Sequence, residues 1–409
     1  MSMDYLALDE ELDPEEYVIC EYTVKSDLDI KTAGVRIAEE ESTGTWTHPT
    51  TLSDDIFQRY GAKVTEAKND KVRIGYPVID FSGDIGGIPQ ILSIIAGNLF
   101  GLDSLEGVRL VNLEMPSKLV KNYPGPRFGL EGLRTILNRP KKPLVGTIVK
   151  PKIGLPPKEF ADYVYQAGKG GLTNSKDDET LVDQDFCPLE DRVNCVSEKL
   201  DLLQEEGHQM IHAHNISTNA HEILDAADIA LENGARQLMV DVLTVGFPGL
   251  QALAEDPSVD VPIHVHRAMH GAITKNPDHG ISMPVIAKLV RMAGGDALHT
   301  GTYGAGKMHA DISEELFSKE VLLGEEHDLK KVMPVSSGGL HPGLVQELMD
   351  VSGKDVQIQA GGGVSGHPDG VMAGAKALTQ AVDAVCSGIG LREYAKEHTE
   401  LKKALDKWM

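Results

Sequence analysis

The chain has 409 residues, 41% of them apolar, and 62 acidic against 39 basic side chains, for a formal net charge of −23. That length exceeds what a single hydrophobic core serves, so two domains are expected, one of them large enough for a barrel of about 250 residues. The acidic excess excludes a protein that lives on nucleic acid or anionic lipid, because both polyanions would be repelled, and an anionic substrate must meet a local basic pocket.

Cys20, Cys187, Cys195 and Cys386 are scattered without a CxxC spacing, which argues against a disulfide framework and a structural zinc site. A reducing, cytoplasmic setting is the expectation. The acidic N-terminal residues lack the basic start and apolar run of a secretory leader. The most apolar stretch, 85–102, is interrupted by Pro89, Gln90 and Asn98, so it reads as a buried helix and no membrane is implied.

In chain order, residues 17–24 and 71–81 alternate as strands, while 32–40 and 88–99 carry helical spacing. A small N-terminal α+β sandwich domain over residues 1–125 is expected. The loop Tyr123-Pro-Gly-Pro-Arg-Phe-Gly129 marks its boundary. Beyond it, short β-rich runs alternate with helical stretches: strands at 144–149, 172–175, 210–215, 237–242, 261–265, 297–302, 332–336 and 356–360. Helices at 157–169, 220–233, 283–292 and 371–386 separate or follow them, and a last helix spans 391–408. Eight such units fit a closed (β/α)8 TIM barrel over residues 126–409 better than an open doubly wound sheet.

On that reading the polar residues fall at strand C-terminal ends, where barrel active sites lie. Lys150 and Lys152 end the first strand and Lys176-Asp-Asp-Glu179 the second, with Asn215 and Asp241 closing the third and fourth. His266 and Arg267 end the fifth, His299 sits in the sixth with Lys307 in the loop after it, and Ser337-Gly-Gly339 and Gly361-Gly-Gly363 end the last two. A Lys-Asp-Asp-Glu run is more often a solvated turn. Here a buried strand feeds it, and paired carboxylates suit magnesium, which prefers hard oxygen ligands. His264, His266 and His270 are either core histidines or acid–base groups; no HExxH or cysteine set completes a zinc site. Residues 361–366 satisfy GxGxxG, but in the last βα unit that pattern suits a phosphate cradle better than a dinucleotide site. Ser337-Gly-Gly339 offers a second cradle, and tight-turn glycines are the plain alternative for both. Thr302-Tyr-Gly-Ala-Gly-Lys307 has the composition of a mobile lid carrying a charge, or of a solvated loop.

Several segments resemble, in order, the signatures of ribulose-1,5-bisphosphate carboxylase/oxygenase (RuBisCO) large subunits: Gly146-Thr-Ile-Val-Lys-Pro-Lys152, Gly170-Gly-Leu-Thr-Asn-Ser-Lys-Asp-Asp-Glu179, His264-Val-His-Arg-Ala-Met-His270, Pro334-Val-Ser-Ser-Gly-Gly339 and Gln359-Ala-Gly-Gly-Gly-Val-Ser-Gly-His-Pro368. Glu40-Glu-Ser-Thr-Gly-Thr-Trp46 and Gly97-Asn-Leu-Phe100 resemble the N-terminal motifs, and the Gly-Ala-Gly-Lys loop, Gly280-Ile-Ser-Met and the Trp408 ending look most like the archaeal form III branch.

The resemblance implies carboxylation of ribulose 1,5-bisphosphate to two 3-phosphoglycerates, with competing oxygenation, through a magnesium-stabilised enediolate. It implies that Lys176 is carbamylated by CO2 and joins Asp178 and Glu179 on one Mg2+ per site. Lys150, Lys176, His266 and Lys307 would be catalytic. Lys152, Arg267, His299, Ser337, Gly338, Gly339, Gln359, Ala360, Gly361 and Gly362 would bind the bisphosphate. Glu40, Thr45, Trp46 and Asn98 would reach in from a second subunit, making a homodimer with shared active sites the minimum unit, open to larger assembly. Ile148 stands where many plant-type members have threonine, and Met308-His-Ala-Asp311 departs from the usual run after the lid lysine. A RuBisCO-like enolase or isomerase that fixes no CO2 is the alternative within the family, and a phosphate-binding scaffold without turnover the alternative outside it.

Overall fold

The computed structural model describes residues 4–47, 49–82, 85–307 and 311–409. The strands among them are, in chain order, β1 (Tyr17–Lys25), β2 (Lys63–Lys68), β3 (Lys71–Pro77), β4 (Gly107–Glu114), β5 (Leu144–Ile148), β6 (Asn174–Lys176), β7 (Ile211–Asn215), β8 (Gln237–Asp241), β9 (Ile263–His266), β10 (Gly280–Ile281), β11 (Ala297–Gly301), β12 (Met333–Ser337) and β13 (Gln357–Gln359). They divide between two compact units, Met1–Pro124 with Met269–Met292, and Gly125–Ala268 with Ala293–Met409.

In the first unit the sheet order is β10-β4-β1-β3-β2, with β1 antiparallel to both β3 and β4 and β10 parallel to β4. The helix Ile30–Glu40 starts at Asp29, whose carboxylate accepts from the Lys31 and Thr32 amides, and it buries Ala33, Gly34, Ile37 and Ala38. Gly34 permits that packing, since a Cβ there would stand 3.0 Å from Val72 and 3.2 Å from Val64 of the sheet. The segment expected as one strand over 71–81 stops at Pro77 and turns through a 3-10 helix, Val78–Asp80. The helix expected over 88–99 ends at Ile95.

The second unit is a closed barrel of eight parallel strands in the order β5-β6-β7-β8-β9-β11-β12-β13, with β13 pairing back onto β5. Strand alternation sorts its side chains into two layers. Val145 and Val149 point outward to pack with Phe160, Val164 and Ala167 of the helix Pro157–Lys169. Leu144, Ile211, Ala297, Met333 and Val335 pack with Leu130, Leu133 and Leu137, which belong to or follow the helix Gly129–Ile136. The barrel also buries polar side chains, Asn174, Gln237, His264, Gln357 and Gln359 among them. The last expected helix is two, Leu391–Tyr394 and Thr399–Trp408. All four cysteines are free. No helix among the described residues is long and apolar enough to cross a membrane.

Candidate active site

At β6 the pairings Ile148↔Lys176 and Lys176↔Ala213 set the lysine level with the ends of its neighbours. Lys176 is 1% exposed, and its Nζ donates to Asp177 O at 2.8 Å and lies 3.6 Å from Glu179 Oε2. Burial lowers its pKa against the opposing pull of Glu179 and Asp178, so the neutral amine is favoured more than in an exposed lysine. Lys150 Nζ donates to Asp178 Oδ2 at 2.6 Å, and Lys152 stands 3.9 Å from both Asp178 and Glu179. Burial raises the Glu179 carboxyl, but the charges of Lys176, His266 and Lys152 outweigh it and hold the group below its ordinary value.

Consecutive acids here part company. Asp178 and Glu179 face the lysines, whereas Asp177 turns to the outside of the strand, where Oδ2 accepts from Arg192 Nε at 3.1 Å and the Asn215 amide at 2.8 Å. Its Oδ1 faces His212 Nε2 at 2.8 Å. Burial pushes its pKa up, and Arg192 with His212 pulls it well below the usual range. Asp177, His212 and His214 bring possible ligand atoms within 4.8 Å of one another. Because both Asp177 oxygens are already engaged and a guanidinium sits beside them, this cluster serves better as a brace than as a cation site. Asn215 extends the brace: its Nδ2 donates to Glu179 O at 3.2 Å and Leu181 O at 3.0 Å. Arg192→Ala leaves a buried carboxylate uncompensated, and a loss of about 3–5 kcal/mol of stability is expected. Urea unfolding measures it.

Asp241, paired with His266 in the β8–β9 register, brings Oδ1 to 2.6 Å from His266 Nδ1. The carboxylate fixes the ring with its proton on Nδ1 and leaves Nε2, 3.8 Å from Glu179 Oε2, facing the lysine cluster. A second chain runs beside it: His264 Nε2 to His299 Nε2 at 2.8 Å, then His299 Nδ1 to Ser337 Oγ at 2.6 Å. Burial keeps both histidines neutral, well below their ordinary pKa, helped by the nearby His266 and Lys176 charges. His264 Nδ1 has no partner. An orphaned buried donor is rarer than an orphaned acceptor, so the proton of His264 belongs on Nε2. His299 then donates to Ser337, whose own hydroxyl proton is free for an anion.

Arg267 is 9% exposed; burial lowers its pKa to about 10, opposed by Glu315. It remains a cation at neutral pH. Gly338 and Gly339 adopt φ of 122° and 80°, which favour glycine, and the Lys307 amide donates to Gly338 O at 3.0 Å. Gly361 passes beside Lys150, where a Cβ would stand 3.1 Å from Cε, and Gly362 has open space. Gln359 and Ala360 are buried, and Gln359 Nε2 donates to Thr147 O at 2.7 Å, which ties this side chain into the barrel interior. Lys307 is exposed; Met308-His309-Ala310 lie outside the described residues.

In the first unit, Asn98 Nδ2 donates to Glu40 Oε1 at 3.2 Å, Thr45 is half-buried, and Trp46 is 88% exposed. The sequence places Asp177, Asn215 and Asp241 at strand ends without assigning them a task, and it gives no sign of Arg192. The sequence signal for Asp241 was its position near the fourth strand end, one strand from His266.

A parallel barrel whose strand ends gather lysines, carboxylates and a carboxylate-oriented histidine defines an enzyme built for acid–base chemistry on an anionic substrate. The chain matches the ribulose bisphosphate carboxylase large chain catalytic domain over residues 129–408 and the N-terminal domain of the same chain over residues 4–119. It belongs to the RuBisCO large-chain family. The ribulose bisphosphate carboxylase of Methanocaldococcus jannaschii is 40% identical over 430 residues, covering 99% of this chain and 100% of that one. The octameric enzyme of Pyrococcus horikoshii, solved with sulfate, superposes with a TM-score of 0.93 at 37% identity, covering 99% of this chain and 96% of that one. A dimeric archaeal Rubisco from Hyperthermus butylicus gives 0.89 at 36% identity, covering 99% of each chain.

Proposed function

We propose that this chain carboxylates D-ribulose 1,5-bisphosphate with CO2 to two molecules of 3-phosphoglycerate, with oxygenation as the competing reaction. The observation that carries the reading is the buried Lys176 beside Glu179, with Lys150, Lys152 and His266 gathered on the Asp178 and Glu179 carboxylates. A scaffold that only bound phosphate would need the glycine loops and not this cluster.

The donor set fits magnesium. Asp178 and Glu179 are hard oxygen ligands, and the three ammonium groups drawn around them mark a place that attracts positive charge. Lys176 completes the set if its neutral amine adds to CO2: the nitrogen lone pair forms the N–C bond as one C=O π bond opens onto oxygen, one proton leaves the nitrogen, and a neutral amine becomes an anionic oxygen donor. Lys176, Asp178 and Glu179 would hold Mg2+, which when bound would supply Lewis acidity that makes the C3 proton of the ketose removable.

The chain's own groups do the rest. The Lys176 carbamate would take the C3 proton, giving the enediolate, while His266, held by Asp241, and Lys150 would move later protons. Arg267, His299 and the donating Ser337 hydroxyl hold one phosphate together with the Gly338 and Gly339 backbone. Lys152 and the Gly361–Gly362 backbone, continuous with Gln359 and Ala360, hold the other. Lys307 brings an ammonium to the carboxylate formed from CO2. Glu40, Thr45, Trp46 and Asn98 serve the site of a neighbouring subunit in a homo-oligomer, and the bare Trp46 indole suits such a contact.

Purified protein incubated with Mg2+ and bicarbonate, then given ribulose bisphosphate and labelled CO2, is expected to place the label in 3-phosphoglycerate. Exchange of the C3 proton without labelled product would assign the chain to enolisation instead.

A further inference from the structure

Glu41 follows the helix Ile30–Glu40, and its amide closes that helix onto Ile37 O. Its side chain is 7% exposed and reaches a different segment. Oε1 accepts from the Leu99 amide at 2.6 Å and Oε2 from the Gly97 amide at 3.2 Å. Both oxygens are thus fastened to the backbone on either side of Asn98, through charge-assisted bonds of the stronger kind. The approach is close: a Cβ on Gly97 would stand 2.3 Å from Ser93 O and 2.8 Å from Glu41 Oε2. Asn98 itself is exposed and donates to Glu40. Two consecutive glutamates therefore divide the work, Glu40 standing beside Asn98 at the surface and Glu41 gripping the turn from within.

We infer that Glu41 is a positioning residue for the carboxylation reaction: its buried carboxylate holds the 97–99 turn so that Asn98 and Glu40 are presented together to the bisphosphate. The inference rests on the reading that Asn98 and Glu40 serve the active site of a neighbouring subunit.

The grip responds to pH. Burial raises the Glu41 carboxyl to about 7; the Leu99 and Gly97 amides pull it down less than burial pushes it up, and Glu40 adds to the rise. Facing it are Glu40 from the adjoining helix and, from β3, the buried Tyr76 hydroxyl, which is 3.1 Å from that of Tyr22 on β1. Above neutrality both Glu41 oxygens accept. Below it one becomes a hydroxyl, a poorer acceptor, and the turn loosens, so kcat/KM is expected to fall on the acid side.

The test compares the full-length wild type with Glu41→Gln, Glu41→Asp, Asn98→Ala and the double variant Glu41→Gln/Asn98→Ala. Melting temperature, kcat and KM for ribulose bisphosphate are measured on both sides of neutrality. Glu41→Gln keeps one acceptor oxygen and cannot titrate. It is expected to lower kcat/KM about fivefold at alkaline pH and to lose the part of the acid-side fall that Glu41 causes. Glu41→Asp, a methylene short of the turn, is expected to lose at least as much. The double variant is expected to be no worse than Asn98→Ala alone, because Glu41 acts through Asn98. Losses that multiply in the double variant, or an acid-side profile unchanged by Glu41→Gln, overturn the inference. A loss in Asn98→Ala with none in Glu41→Gln overturns it alone, whereas wild-type kinetics in Asn98→Ala overturn the reading beneath it and the inference with it.

Discussion

Replacing Lys176 by methionine is expected to cut carboxylation by at least about a thousand-fold while the barrel stays folded. The side chain is 1% exposed and methionine fills nearly the same space, so packing survives. What disappears is the one amine that burial has tuned toward the neutral form, the form that can attack CO2. Without it, Asp178 and Glu179 remain as two carboxylate donors, and the group proposed to receive the C3 proton is gone. Trapping of labelled CO2 on the protein in the absence of substrate separates the two losses. Wild type should retain one label per chain on Lys176, and Lys176→Met none. The sign with pH follows from the proton released on addition: activation should rise as pH rises, and should do so at lower pH than an exposed lysine would allow. Near-wild-type turnover by Lys176→Met, or label carried on another lysine, removes the carbamate from the account.

The barrel was legible because strands buried on both faces announce themselves as short apolar runs ended by polar residues, as in β5 and β8. β6 was framed early, starting two residues and ending one residue before Asn174–Lys176, because its interior is polar: Asn174 and Lys176 are buried and carry no hydrophobic signal. β2, with the sequence KVTEAK, is an edge strand with one buried residue and reads as a charged loop. The site residues could be assigned to strand ends from chain order alone. Their directions could not. Asp177 and Asp178 are neighbours in sequence, yet a strand's alternation sends one to Arg192 on the outer helix and the other to Lys150. The hold of Asp241 on His266 and of Glu41 on the 97–99 turn likewise depend on separations of 25 and 56–58 residues in sequence that no local pattern records.

Lys307→Ala is expected to separate the two halves of the reaction. The loop that carries this lysine is docked by its backbone: the Lys307 amide donates to Gly338 O, a Cβ on Gly306 would stand 2.3 Å from that same oxygen, and a Cβ on Gly339 would stand 2.7 Å from Lys307 Cγ. Truncation beyond Cβ leaves the backbone contacts at Gly338 O in place and removes the aliphatic stem together with its ammonium. Because the proposed reading gives proton removal at C3 to the cluster around Lys176, tritium washout from C3-labelled ribulose bisphosphate should fall less than about tenfold. Carboxylation should fall about a hundredfold or more, the range found when a charge-stabilising donor is deleted from an enzyme site. Measuring washout and CO2 incorporation in the same samples gives the ratio directly. If the two fall together, Lys307 acts on substrate binding and not on the carboxylated transition state; if neither falls, the loop carries its charge to no purpose in this reaction, and the donor for the new carboxylate must be sought among Lys150, Lys152 and His266.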